Sequence, residues 1–198
     1  MPQVSLDEMV KCLAGAPALV SFPTDTVPAL STRPAHANLI FAAKQRPPEK
    51  PLILMGASFS DLRPYIEGTT FELETWQALT EQYWPGQLTL VLPASDRTPK
   101  NLNPLSTGTL GIRVPNHPTA LAILAKTGPL ATTSANLSGQ PPLTTQPDIA
   151  ETFPSALTLA PSAYTTSLER PAASGKPSTV AQWTDQRWKI LRQGEIYL

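Results

Sequence analysis

Proline constrains this chain more than any other residue. Twenty-three of its 198 residues are proline. Each one fixes φ and removes a backbone donor. Spread as they are, they rule out long helices and require many fixed turns between short elements. The segments between them are strongly apolar, and hydrophobic residues make up 41% of the chain. That is enough for a packed core, so the prolines mark turns and not disorder. No Gly/Ser or charged linker divides the sequence, which predicts one domain over 1–198.

The pattern between the turns alternates in type. Ser5-Leu6-Asp7-Glu8 is a capping box, and Leu6, Met9, Val10 and Leu13 follow at helical spacing up to Gly15. Helices are also predicted over Ala37 to Lys44, Asp61 to Ile66, Phe71 to Tyr83, Pro118 to Lys126 and Ile149 to Phe153. Short apolar runs predict strands over Ala18 to Phe22, Leu52 to Met55, Leu88 to Leu92, Thr109 to Val114, Leu130 to Thr133 and Leu157 to Ala160. Thr179 to Trp183 and Trp188 to Leu191 read as a closing strand pair. Pro23 to Pro34 and Tyr164 to Lys176 read as long loops, the places to look for function. Strands that alternate with helices and are apolar on both faces predict an α/β sheet covered by helices.

Several function classes are disfavoured. Lys+Arg and Asp+Glu balance at 15 each, so bulk charge attracts neither nucleic acid nor an anionic membrane. Cys12 is the only cysteine, and His36 and His117 are the only histidines, so no disulfide, thiolate cluster or dedicated zinc site is expected. Asp7 and Glu8 interrupt the N-terminus before a signal sequence develops. No run approaches the roughly 20 apolar residues of a membrane span. The chain reads as soluble and cytoplasmic.

The motifs suit an anionic ligand. Lys44-Gln45-Arg46-Pro47 puts two cations at a helix end. They either cap the helix carbonyls or form a rigid arm for polyphosphate. Thr24-Asp25-Thr26 follows a buried strand, either as a turn or as a cradle of hydroxyls and a carboxylate. Thr109 and Arg113 share one face of a strand. An arginine in an apolar strand needs a partner. That partner is a protein carboxylate or, the reading favoured here, a ligand carboxylate or phosphate. Ser134, Asn136 and Ser138 alternate after a strand, with Gly139 permitting close approach. Trp84 to Thr89 reads as a structural turn, and Ser178-Thr179 and Arg192-Gln193-Gly194 are weak on their own. No Walker loop, dinucleotide fingerprint or nucleophile elbow is present. No catalytic acid, base or nucleophile is assigned, and binding and orientation would carry the catalysis.

Taken in order, these motifs resemble the YrdC-like threonylcarbamoyl-adenylate synthase family. The resemblance runs from about Phe22 to Gly194 through Pro23-Thr24-Asp25-Thr26, Lys44-Gln45-Arg46-Pro47, Pro85 to Thr89, Arg113-Val114-Pro115, Ser134 to Gly139, Ser178-Thr179-Val180 and Arg192-Gln193-Gly194. It implies a twisted mixed sheet flanked by helices around a large concave cavity. It also implies synthesis of threonylcarbamoyl-adenylate from L-threonine, bicarbonate and ATP with Mg²⁺, for tRNA modification, with the product passed to a downstream tRNA-modifying protein. It assigns ATP to Lys44, Arg46, Ser134, Asn136 and Arg192, and threonine to Thr24, Arg113 and Ser178. Asp25, Thr26, Thr109 and Ser138 would line the cavity. The second C-terminal domain of some relatives is not expected. The chain departs from the family at Asp25 (usually Glu), at Pro28-Ala29 (usually Tyr-Gly) and at Met55 (often His). These changes shorten a carboxylate and remove an aromatic wall and a backbone donor. Two other functions fit the residues: a diverged nucleotide binder with another acceptor or no catalysis, or an RNA-binding or ribosome-assembly module. The RNA reading uses a basic rim of Lys44, Arg46, Lys50, Arg63 and Arg97.

Overall fold

The computed structural model describes residues 3–47, 49–160 and 173–198. Its described strands are β1 (Gln3–Val4), β2 (Leu19–Phe22), β3 (Ala29–Thr32), β4 (Ile53–Met55), β5 (Leu88–Pro93), β6 (Thr109–Arg113), β7 (Leu130–Ser134), β8 (Ala156–Leu159), β9 (Thr179–Thr184) and β10 (Arg187–Arg192). They form one sheet in the order β1-β8-β2-β3-β7-β4-β6-β5-β9-β10. The sheet is mixed. β1 and β2 run parallel to β8, β4 to β6 and β5 to β9, while the other neighbours are antiparallel.

Six α-helices accompany it among the described residues: α1 (Leu6–Gly15), α2 (Asn38–Lys44), α3 (Phe59–Leu62), α4 (Thr70–Tyr83), α5 (Pro118–Thr127) and α6 (Gln146–Thr152). Local chemistry sets their ends. Ser5 with Glu8 and Thr69 with Glu72 form complete capping boxes on α1 and α4. Pro118 opens α5, and Gly128 at φ 73° closes it.

Two expectations change. The Pro23 to Pro34 loop contains β3, a fully buried strand between β2 and β7. Its sequence, Ala-Leu-Ser-Thr, carries no apolar signature because polar side chains are satisfied inside. Ser31 bonds Thr132 at 3.0 Å and Thr32 donates to the Ala18 carbonyl at 2.7 Å. The helix expected over Asp61 to Ile66 is instead α3 followed by a 3₁₀ turn at Arg63–Tyr65, where Pro64 breaks the α pattern. Of the Tyr164 to Lys176 loop, residues 164–172 lie outside the described residues.

The sheet is covered unequally, and this makes the cavity. One face is packed by α2, α3, α4 and α6, through Ile40, Leu62, Trp76 and Ile149 against Leu30, Leu54, Leu90 and Ile112. On the other face α1 and α5 bring Met9, Leu13, Ile123 and Leu124 against Val20, Phe22, Leu130 and Leu159. Those two helices cover only the part of the sheet around β8, β2 and β3, reaching Leu130 at the start of β7 and Met55 at the end of β4. Beyond them, the alternate residues of β4, β6, β5 and β9 face open space. Among the described residues no helix is long and apolar enough to cross a membrane.

Candidate active site

The uncovered part of the sheet is the floor of a cavity of about 520 Å³, within the usual range for a small-molecule site. Strand periodicity builds the floor. Thr89 and Val91 of β5, Thr109, Gly111 and Arg113 of β6, and Val180 and Gln182 of β9 each lie two residues apart and point the same way. Leu88, Leu90, Leu110, Ile112 and Ala181 between them are buried on the helix side. Gly111 matters for the shape of the floor. A Cβ there would stand 2.8 Å from Cγ2 of Ile53, another cavity residue.

Three arginines give the cavity its charge. Arg113 ends β6 and is 4% exposed. Its Nε donates to the Gly86 carbonyl at 2.9 Å, Nη1 to Thr26 Oγ1 at 2.9 Å and Nη2 to Asp25 Oδ1 at 2.8 Å. The Trp84 to Thr89 turn, read as structural, therefore also orients this arginine. Burial pushes the Arg113 guanidinium below its ordinary range, and the Asp25 charge pulls it back. Sequence reasoning favoured a ligand as the partner of Arg113. The structure places the Asp25 carboxylate on it, because a buried guanidinium left unpaired is costly.

Arg46 follows α2. Gln45 takes the left-handed conformation at φ 49° and turns the chain, so Arg46 lines the cavity with Nε on the Lys50 carbonyl (2.7 Å) and Nη2 on that of Pro51 (2.9 Å). Arg192 reaches the cavity through a bulge. Ile190 pairs with Ala181 but Arg192 pairs with Val180, so Leu191 is the extra residue. Without that extra residue looped out, Arg192 would fall on the helix side. Its Nε and Nη2 donate to the carbonyl and hydroxyl of Ser178 at 3.0 and 3.2 Å. The Ser178 hydroxyl also bonds Thr89 at 2.8 Å. Burial lowers the pKa of both arginines. No described residue accepts from Nη1 of either one. No Asp or Glu is among the described residues that line the cavity, so the walls favour an anion.

The predicted residues divide in two. Thr24, Thr26, Arg46, Thr109, Arg113, Ser134, Ser178 and Arg192 line the cavity together. Lys44, Asn136, Ser138 and Asp25 lie outside the lining. Lys44 Nζ donates to the Ser134 carbonyl and to Asn136 Oδ1. Asn136 spends its amide on the carbonyls of Leu137 and Gln140 at 2.7 and 2.8 Å. Ser138 donates its backbone N–H to the Lys44 carbonyl at 3.2 Å. Asp25 is 1% exposed behind Thr24 and Thr26. The cations of the suggested RNA rim are dispersed. Lys44 is buried, Arg63 is tied to the Ile66 carbonyl at 3.1 Å, and of the five only Arg46 lines the cavity. Sequence reasoning missed Thr89 and Gln182. The alternation of Thr89 with Val91 was the available signal for the first.

Residues 15–194 match the family model of Sua5, YciO and YrdC, described as telomere recombination. The chain belongs to the Sua5/YciO/YrdC family. It is 37% identical over 142 residues to the threonylcarbamoyl-AMP synthase of Klebsiella pneumoniae, covering 68% of this chain and 72% of that protein. The synthase of Vibrio cholerae is 38% identical over 135 residues, covering 66% and 71%. Pyrococcus abyssi Sua5 complexed with L-threonine superposes with a TM-score of 0.78 at 29% identity. The match covers 96% of this chain but 55% of that one, so the present chain spans about half of Sua5. Escherichia coli YciO, at 23% identity, shares the fold with a TM-score of 0.78 over 96% of this chain and 89% of its own.

The family departures fall on the cavity or next to it. Asp25, though shorter than the usual Glu, still reaches Arg113. The Pro28 carbonyl accepts from the Ala135 N–H at 2.9 Å and so joins β3 to the loop after β7. Ala29 and Met55 give this wall small and apolar groups. Among the described residues no three His, Cys, Asp or Glu side chains converge on a metal position.

Proposed function

We propose that this chain makes L-threonylcarbamoyl-adenylate from L-threonine, bicarbonate and ATP, for modification of a tRNA adenosine. The observation that carries this reading is the pair of arginines, the partly buried Arg46 and the exposed Arg192, each with Nη1 unused by the described residues, on the walls of one cavity. Family membership and the names of the bacterial relatives support it.

Arg46, Arg192 and Ser134 bind the ATP phosphates, each charge-assisted contact contributing about 1.5–3 kcal/mol. Arg113 uses three of the five N–H donors of a guanidinium on protein. It keeps one on each Nη for the threonine carboxylate, beside the hydroxyls of Thr24 and Ser178. The threonine amine adds to the carbon of bicarbonate, which loses water to give a carbamate. A carbamate oxygen then attacks the α-phosphorus, and the bond to pyrophosphate breaks. The arginines stabilise charge developing on the leaving pyrophosphate. The cavity limits water around the labile carbamate. The donor set does not fit a protein-held metal, so any Mg²⁺ is carried by the nucleotide phosphates and water. A downstream tRNA-modifying protein receives the adenylate.

The test is pyrophosphate release by the purified protein with ATP, Mg²⁺ and bicarbonate, with and without L-threonine. Threonine-dependent release is expected. Release without threonine dependence, or none at all, refutes the reading. Ala29 and Met55 support a second reading, in which the nucleotide half is kept and another amino acid is the acceptor. Release that depends on an amino acid other than threonine would establish it.

A further inference from the structure

Cross-strand register divides the cavity floor into rows. Arg113 pairs with Met55, and Arg192 with Val180, so the floor's two cations stand at one level along the strands. The neighbouring row lies two residues away along each strand, about 6.5–7 Å. It runs unbroken from Thr132 through Ile53, Gly111 and Val91 to Gln182. All five line the cavity, and Lys189, the next partner in the row, stands outside the lining.

This second row is apolar and flat in its middle. Gly111 presents no side chain, and Ile53 and Val91 flank it. Leu191, looped out by the bulge in β10, lines the same cavity and is 50% exposed. An apolar strip one step from a cationic row suits a nucleotide, whose base and phosphates lie on either side of a ribose. Gln182 closes the strip. It is the one side-chain amide among the described lining residues. No hydrogen bond joins that amide to another described residue. It therefore offers a donor and an acceptor side by side, both uncommitted.

We infer that Gln182 selects adenine, with Nε2 donating to N7 of the base and Oε1 accepting from its N6 amino group. Adenine presents that acceptor and donor on one edge, and a glutamine amide matches them as a pair. Guanine presents N7 and O6 there, two acceptors, so one of them would face Oε1. The hydroxyls of the floor lack this fixed pairing, because a hydroxyl turns to suit either partner.

The assignment deepens the proposed reaction and rests on the cavity being the ATP site. Equilibrium binding of ATP, GTP and 7-deaza-ATP, measured by calorimetry, tests it without turnover. Wild type should bind ATP more tightly than GTP. It should also bind ATP more tightly than 7-deaza-ATP, which keeps the amino group but lacks N7. Gln182→Leu should reduce the preference for ATP over GTP by about 5–150-fold and remove the difference between ATP and 7-deaza-ATP. Its Kd for pyrophosphate should stay within about twofold of wild type, since the arginines are untouched. An unchanged ATP-to-GTP ratio in Gln182→Leu, or equal binding of ATP and 7-deaza-ATP by wild type, would overturn the inference. Should Gln182→Leu fail to fold, the wild-type comparison of ATP with 7-deaza-ATP decides. If ATP binds with this selectivity and no pyrophosphate is released, the proposed reaction fails while the role of Gln182 stands.

Discussion

Asp25→Ala is the most informative single substitution, because it strands a charge in the interior. The Arg113 and Asp25 side chains are 4% and 2% exposed and meet at 2.8 Å. Removing the carboxylate leaves a buried guanidinium with two neutral acceptors, the Gly86 carbonyl and Thr26. Breaking such a pair costs about 3–5 kcal/mol, a large share of a total stability of about 5–15 kcal/mol. For a chain of this size each kcal/mol moves Tm by about 2–4 °C, so Tm should fall by about 6–20 °C. The companion variant Asp25→Leu/Arg113→Met removes both charges. It should recover most of the loss, because an apolar pair of similar volume is close to neutral in stability. Urea unfolding at constant m value measures both, and neither variant should release pyrophosphate. A loss below about 1 kcal/mol for Asp25→Ala, or a double variant no more stable than the single one, would refute the view that Asp25 compensates Arg113.

Other expectations follow from the same geometry. Arg46→Ala or Arg192→Ala should each lower kcat/KM for ATP by about 10–150-fold, the equivalent of one charge-assisted contact; steady-state pyrophosphate assays check this, and an effect under threefold would remove that arginine from the phosphate site. Gly194→Ala should destabilise the chain by about 1–3 kcal/mol and raise the KM for ATP, because its Cβ would lie 2.5 Å from the Thr179 nitrogen and 2.6 Å from the Pro177 carbonyl oxygen, beside Ser178 and Arg192. A KM equal to wild type would show that the displacement stops short of the cavity. Lys44 titrates near 7 when folded and returns to its ordinary 10.5 when unfolded. Between those values the unfolded state binds more protons, so stability rises with pH. The stability of wild type relative to Lys44→Met should climb from about pH 7 towards 10.5, and a flat or falling difference in urea midpoints would contradict the lowered pKa.

What the sequence determined by itself is local. Capping boxes at Ser5 and Thr69, the Pro118 start and the Gly128 stop set helix ends from interactions within a few residues. The period of two in β6 put Thr109 and Arg113 on one face, and the structure keeps them there. The ordered motifs carried the family, which the comparisons then showed. Tertiary structure decided whatever depends on distant partners. Buried β3 was hidden because its polar side chains are satisfied by Thr132 and Ala18, which no local pattern reveals. The partner of Arg113 lies 88 residues away, and the strand order brings it near. Lys44 and Arg46 look equivalent in sequence, yet a left-handed Gln45 sends one inward and the other to the cavity. The cavity exists because two helices cover only part of one sheet face. That is a matter of packing between distant elements, where desolvation and long-range register outweigh local preference.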